Sequence, residues 1–122
     1  ALGLMWMYVW VGLGGAIGAI VRYSIGLLFA GQTFPWATLT INVAGSFIIG
    51  ALWSLCGEQD WFLNWGRGFL LVGVLGGFTT FSAFTLETLL LLNNGRIVVA
   101  SSYVIASVCF CMVGVWLGSR VA

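Results

Sequence analysis

The chain has 122 residues, of which 61% are hydrophobic and only 6% are charged, with a formal net charge of +1 and no histidine. About a quarter of the residues in a soluble domain are charged, so most of this surface is expected to face lipid, and four scattered arginines without a single lysine give nucleic acid no basic patch. The sequence also lacks a nucleophile–base pair or a metal-ligand set, which argues against an enzyme.

A helix needs about 20 apolar residues to cross a bilayer, and four such spans are predicted within one domain covering 1–122. The first runs from about Leu4 to Phe29. No basic segment precedes it and the chain stays apolar after it, so it reads as a retained span and not a cleaved signal peptide. Gly14 with Gly18, Gly15 with Ala19, and further along the chain Ser46 with Gly50 and Gly114 with Gly118, are small-xxx-small pairs that let helix backbones approach closely. Gly12-x-Gly14 resembles the start of a dinucleotide-binding loop, but position 17 is Ile and no strand precedes it, so that reading is discarded.

A Gly/Pro turn, Ala30 to Pro35, leads into the second span, from about Trp36 to Leu55. Here Thr38, Asn42 and Ser46 recur every four residues, one polar stripe on an apolar helix. The polar connection Gly57-Glu58-Gln59-Asp60 follows. The third span, from about Arg67 to Leu92, contains Gly73-Val-Leu-Gly76-Gly77-Phe78-Thr79-Thr80, and its helix is expected to break near Gly76 to Thr80. Irregular backbone at membrane depth is tolerated only where protein buries it or where it lines an aqueous cavity. Asn93-Asn94-Gly95 then forms a tight turn before the fourth span, from about Ile97 to Leu117, which carries Tyr103 and Ser107 one turn apart. Cys56, Cys109 and Cys111 have neither disulfide nor zinc spacing and read as small apolar residues. Tryptophans gather near the span ends, as in an interfacial belt.

Four spans place Arg67 and Arg120 on one side of the membrane and Arg22 and Arg96 on the other. Basic residues set orientation, and a two-against-two count fits either a weak bias or a chain that inserts both ways and pairs antiparallel. Four helices are also too few to enclose a pore comfortably, which favours an oligomer, and two-fold dimers are the commonest kind.

Among the polar residues inside the spans, serine and threonine hydroxyls can bond back to their own helix. Asn42 stands apart, because its amide offers two N–H donors with few acceptors expected nearby, and a desolvated anion would satisfy them. Phe81 and Phe84 share a helix face, and aromatic ring edges carry the positive side of the quadrupole. Amide and ring edges together suit a small anion held weakly enough to leave.

The segments Gly14-Gly15-Ala16-Ile17-Gly18 through Arg22-Tyr23, Thr38-Leu39-Thr40-Ile41-Asn42, and Gly76-Gly77-Phe78-Thr79-Thr80-Phe81-Ser82-Ala83-Phe84 with Glu87 resemble the Fluc (CrcB) family of microbial fluoride channels, in order along the whole chain. The resemblance implies an all-α membrane protein, an antiparallel dual-topology homodimer in the bacterial inner membrane, with two fluoride pores and a structural sodium ion at the dimer centre. It also implies roles by position. Phe81 and Phe84 would contact fluoride, Asn42 would be a pore donor, and Thr38, Ser82 and Tyr103 would lie along a polar track. The backbone carbonyls of Gly76 and Thr79 would hold sodium, and Arg22 and Glu87 would sit toward the vestibules. The frequent hydroxyl at position 83 is replaced here by Ala83.

The expected activity is passive, fluoride-selective export that relieves fluoride toxicity. A small dual-topology cation or multidrug exporter is the alternative, and it would need an intramembrane carboxylate, for which Glu87 near the end of the third span is the candidate. A non-conducting assembly subunit is a third reading.

Overall fold

The computed structural model describes residues 2–122 and is helical, with no strand among the described residues. Helix α1 spans Leu2–Leu28 and α2 spans Trp36–Cys56. Helix α3 (62–78) is wound as a π-helix over Phe62–Leu75 and closes with one α-helical turn, Gly76–Phe78. Helix α4 spans Phe81–Asn93 and α5 spans Ile97–Ser119. With α3 and α4 taken as one broken crossing, four helical segments among the described residues are long and apolar enough to cross a membrane. Their outer faces are apolar, as lipid contact requires: Leu28 is 82% exposed and Val98 79%.

Glycine at the crossings arranges these helices in two close pairs. A Cβ on Gly14 would stand 2.6 Å from the Phe69 carbonyl oxygen and 2.9 Å from the Val74 nitrogen, so α1 and α3 touch backbone to backbone. Gly18 meets Val74 and Phe78 in the same way, one turn further along both helices, which therefore run parallel. Helices α2 and α5 form the second parallel pair, with Gly114 against Val43, Gly118 against Phe47 and Gly50 against Val115. Lipid supplies no hydrophobic drive for helix association, so backbone proximity and the dispersion contacts it allows must hold such pairs together. Of the small-xxx-small pairs expected in the first, second and fourth spans, Gly14 with Gly18, Ser46 with Gly50 and Gly114 with Gly118 fall at these crossings.

The break in the third span falls within the expected stretch, at its C-terminal end. Gly76 is helical (φ −62°, ψ −39°), and the extended residues are Thr79 (φ −83°, ψ 157°) and Thr80 (φ −149°, ψ 120°). Gly77 is instead needed for packing, since a Cβ there would stand 2.5 Å from the Gly15 carbonyl oxygen. The break thus lies at two β-branched residues that tolerate extended backbone, and the glycines before it let α3 dock on α1. Thr80 caps the resumed helix, its Oγ1 accepting from the Ala83 N–H at 3.2 Å. The third crossing also starts earlier than expected, at Phe62, a residue with no exposed surface. The turn before α5 needs a left-handed residue, and Gly95 supplies it at φ +75°.

Candidate functional site

Two consecutive extended residues interrupt the helical hydrogen-bond ladder, and the freed groups define the site. In an unbroken helix the Thr80 N–H would bond the Gly76 carbonyl. Here it donates to Asn42 Oδ1 at 2.9 Å, while Asn42 Nδ2 donates to the Thr80 carbonyl at 3.0 Å. Asn42 therefore clamps the break with both ends of its amide. The expectation that few acceptors would face this amide is corrected: the interrupted backbone provides one. One of its two N–H donors is engaged by that carbonyl, and the other is left for a ligand.

The carbonyls on the N-terminal side of the break have separate fates. Gly77 O accepts from Arg22 Nε at 3.0 Å. The helical partner of the Thr79 carbonyl, the Ala83 N–H, is taken by the Thr80 side chain, just as that of Gly76 is taken by Asn42. Gly76 and Thr79 thus each present a hard, neutral oxygen released from the ladder, both on the wall of one groove. That donor chemistry suits sodium, which prefers oxygen ligands. Arg22, anchored on Gly77, braces the same break and also lines a groove shared with Tyr23, Thr38 and Glu87.

The central groove, about 510 Å³, lies between α2, α3, α4 and α5. Asn42, Ser46, Thr80, Phe81, Phe84 and Ser107 line it, and no charged side chain does. The Phe81 and Phe84 rings lie 5.5 Å apart at 50°. Phe84 is buried, 9% exposed, and packs 5.1 Å from the Tyr103 ring, whereas Phe81 stands 75% exposed at the rim.

Toward the α2 N-terminus the polar line continues into a hydrogen-bonded triad. Thr38 Oγ1 donates to Glu87 Oε2 and Tyr103 Oη donates to Glu87 Oε1, each at 2.9 Å. Tyr103 and Thr38 are buried there, Tyr103 completely. Glu87, placed toward a vestibule by the resemblance, holds both expected track hydroxyls while lining two outer grooves, one with Arg22 and the other with Arg96. Ser82 sits apart from this line within one chain. It is exposed, with its hydroxyl 3.5 Å from that of Thr80. Ala83 lines the groove beside Thr38 and Glu87, so the missing hydroxyl leaves an apolar patch on that wall.

Ser107 joins the site as a residue whose role the sequence left open. It is only 7% exposed, it lines the central groove, and its Oγ is buried without a hydrogen-bond partner. An unpartnered buried hydroxyl costs about 1–3 kcal/mol, so this donor is unsatisfied unless a ligand or water meets it. The signal in the sequence was its place one turn after Tyr103 on α5, which did not separate it from serines that bond back to their own helix, as Ser102 does to the Val98 carbonyl at 2.8 Å.

The family model described as CrcB-like protein, Camphor Resistance (CrcB), matches residues 9–119. A protein of Rhodospirillum rubrum named "Fluoride-specific ion channel FluC" is 46% identical over 121 residues, covering 91% of this chain and 90% of the relative. Proteins with the same name from Opitutus terrae and Elusimicrobium minutum are 47% and 48% identical, over 93% and 92% of this chain and 90% of each relative.

Proposed function

This chain belongs to the CrcB-like family, and from that premise we propose that it is a fluoride-selective channel of the bacterial inner membrane, exporting fluoride passively. One observation supports the reading: Asn42, Phe81, Phe84 and Ser107 line a central groove free of fixed cations, and Phe84 packs on Tyr103, whose hydroxyl meets Glu87 together with that of Thr38.

Fluoride is small and strongly hydrated, so its pathway must replace water with donors at every step. The Thr38 and Tyr103 hydroxyls, the free N–H of Asn42 and the Ser107 hydroxyl supply them in sequence. The Phe81 and Phe84 ring edges bridge the apolar interval with partial positive charge. Because no arginine lines the central groove, an ion there is held by dipoles alone and can leave, as conduction demands. A larger halide gains less from each dipole, since its charge lies further from the donors, and it fits a narrow passage less well. At the triad the carboxylate of Glu87 already occupies both hydroxyls, so an arriving fluoride competes with it for those donors and its field disfavours a second anion nearby.

The working unit in this proposal is an antiparallel homodimer. Phe81, exposed at the groove rim in a single chain, would complete a pore wall against the second copy, and so would Ser82. The paired arginines, two at each end of the bundle, support insertion in both orientations. Gly76 and Thr79 from both copies would hold a sodium ion, whose charge would join the two breaks and offset four carbonyl dipoles.

The test is efflux from liposomes containing only this protein. Vesicles loaded with fluoride should empty rapidly once valinomycin and potassium relieve the charge imbalance, and chloride-loaded vesicles should not. Equal release of the two halides would remove the selectivity claim.

A further inference from the structure

Helix α2 meets the break in the third span at two points, one turn apart. Asn42 clamps the Thr80 backbone, and Gly45, buried on the next turn of the same helix, faces Thr79. A Cβ on Gly45 would fall on the Thr79 methyl, Cγ2. The buried ring of Phe78 stands 3.5 Å from the same point, on the other side of the contact. Ile41 of α2 packs with Leu75 and Phe78 in one apolar cluster, so this wall cannot step back without opening close-packed core.

The Thr79 side chain is also held from its own helix. Its N–H and its Oγ1 both donate to the Leu75 carbonyl, at 2.9 and 2.8 Å. The hydroxyl bond fixes χ1, and with it the direction of the methyl, which points into the space that Gly45 leaves. Turning the methyl away would swing the hydroxyl off Leu75, because both branches sit on one Cβ. Thr79 is also where the chain leaves the helix, its ψ of 157° turning the carbonyl out of the hydrogen-bond ladder where the residue lines the central groove. A side chain held between Gly45 and Leu75 therefore sets where that carbonyl stands.

We propose that Gly45 is a positioning residue for the helix break: the absent side chain at 45 seats the Thr79 methyl, and through it Gly45 fixes the Thr79 carbonyl in the geometry that binds sodium. The inference rests on the proposed sodium site and adds to it a residue that touches no ion. In the sodium-free chain, a surplus methyl at 45 can be relieved by a shift of Thr79. Binding the ion draws the carbonyl back and restores the overlap, so the cost falls on sodium affinity.

Sodium titration of the full chain in detergent, read as dimer recovered on crosslinking, tests it. G45A should raise the half-saturating sodium concentration about fivefold, the lower end of what one surplus methyl costs in a packed interior. T79S keeps the hydroxyl bond to Leu75 but empties the seat, and it should raise that concentration less. G45A/T79S moves the methyl from one side of the contact to the other and should titrate at lower sodium than either single variant, whereas a general loss of packing would leave it worse than both. A G45A titration equal to the parent's would overturn the proposal. So would a double variant that titrates no lower than T79S, a comparison that holds even where G45A does not fold. If recovery of the parent is independent of sodium, the carbonyl site fails as a reading, and the same variants are compared by unfolding in mixed micelles. G12A, at a helical glycine with open space around it, then measures the gain in helix propensity alone. A double variant that exceeds T79S in stability by no more than G12A exceeds the parent would overturn the contact as well.

Discussion

Replacing Asn42 by alanine removes both hydrogen bonds that span the helix break, the one accepted from the Thr80 N–H at 2.9 Å and the one donated to the Thr80 carbonyl at 3.0 Å. In a water-excluded interior each orphaned group costs about 1–3 kcal/mol, but hydrogen bonds between membrane helices average closer to about 0.6 kcal/mol. Two bonds to the backbone of one residue should therefore contribute about 1–3 kcal/mol, or roughly 5- to 150-fold in the folding equilibrium at about 1.4 kcal/mol per tenfold. N42D separates the two bonds. Its carboxylate still accepts from Thr80 but cannot donate to the Thr80 carbonyl, and it places a negative charge on the central groove. The prediction is that N42A and N42D both lower stability, measured by reversible unfolding in mixed micelles, and that N42D loses more fluoride efflux per folded molecule. If N42A is as stable as the parent and conducts equally, the amide neither braces the break nor faces the ion, and the argument built on it fails.

Other substitutions separate pathway from scaffold. F81I should cut fluoride efflux with little loss of stability, because Phe81 is 75% exposed in the single chain; intact efflux would remove its ring edge from the mechanism. F84I, at a buried ring packed on Tyr103, should cut efflux and also destabilise by about 1 kcal/mol, the scale of volume-changing core swaps, and a stability equal to that of the parent would show the ring is not packed as described. E87Q keeps one acceptor oxygen at the triad and removes the negative charge, so fluoride efflux should persist; proton-linked uptake of a lipophilic cation that E87Q abolishes would instead favour the exporter reading. Replacing sodium with N-methylglucamine during purification should weaken dimer recovery on crosslinking, and recovery independent of sodium would exclude the shared carbonyl site.

Much of the fold was legible because lipid imposes a simple rule: four apolar runs of sufficient length, with Gly/Pro and Asn-Asn-Gly turns between them. Small-xxx-small spacing marked the crossings correctly, since Gly14, Gly18, Gly50, Gly114 and Gly118 all stand where a Cβ would meet a neighbouring backbone. The position of the break was harder to read. Gly76 and Gly77 suggest a helix break, yet Gly76 is helical, Gly77 serves close packing on Gly15, and the extended pair is Thr79 and Thr80. Composition also did not reveal the π-winding of Phe62–Leu75, because hydropathy reports which residues face lipid and not how tightly the helix is coiled. Within the site, helical spacing grouped Thr38 with Asn42 and Tyr103 with Ser107. It did not show that Glu87 bridges Thr38 and Tyr103, nor that Thr80 engages Asn42, since both contacts join residues far apart in sequence.

The claim that neutral dipoles select one small anion is tested most directly by the reversal potential of the purified protein in a planar bilayer, with fluoride on one side and chloride on the other and a common cation at equal concentration. The account predicts a current carried almost wholly by fluoride, with the reversal potential displaced far from zero in the sense of fluoride permeability. A reversal potential near zero would contradict it.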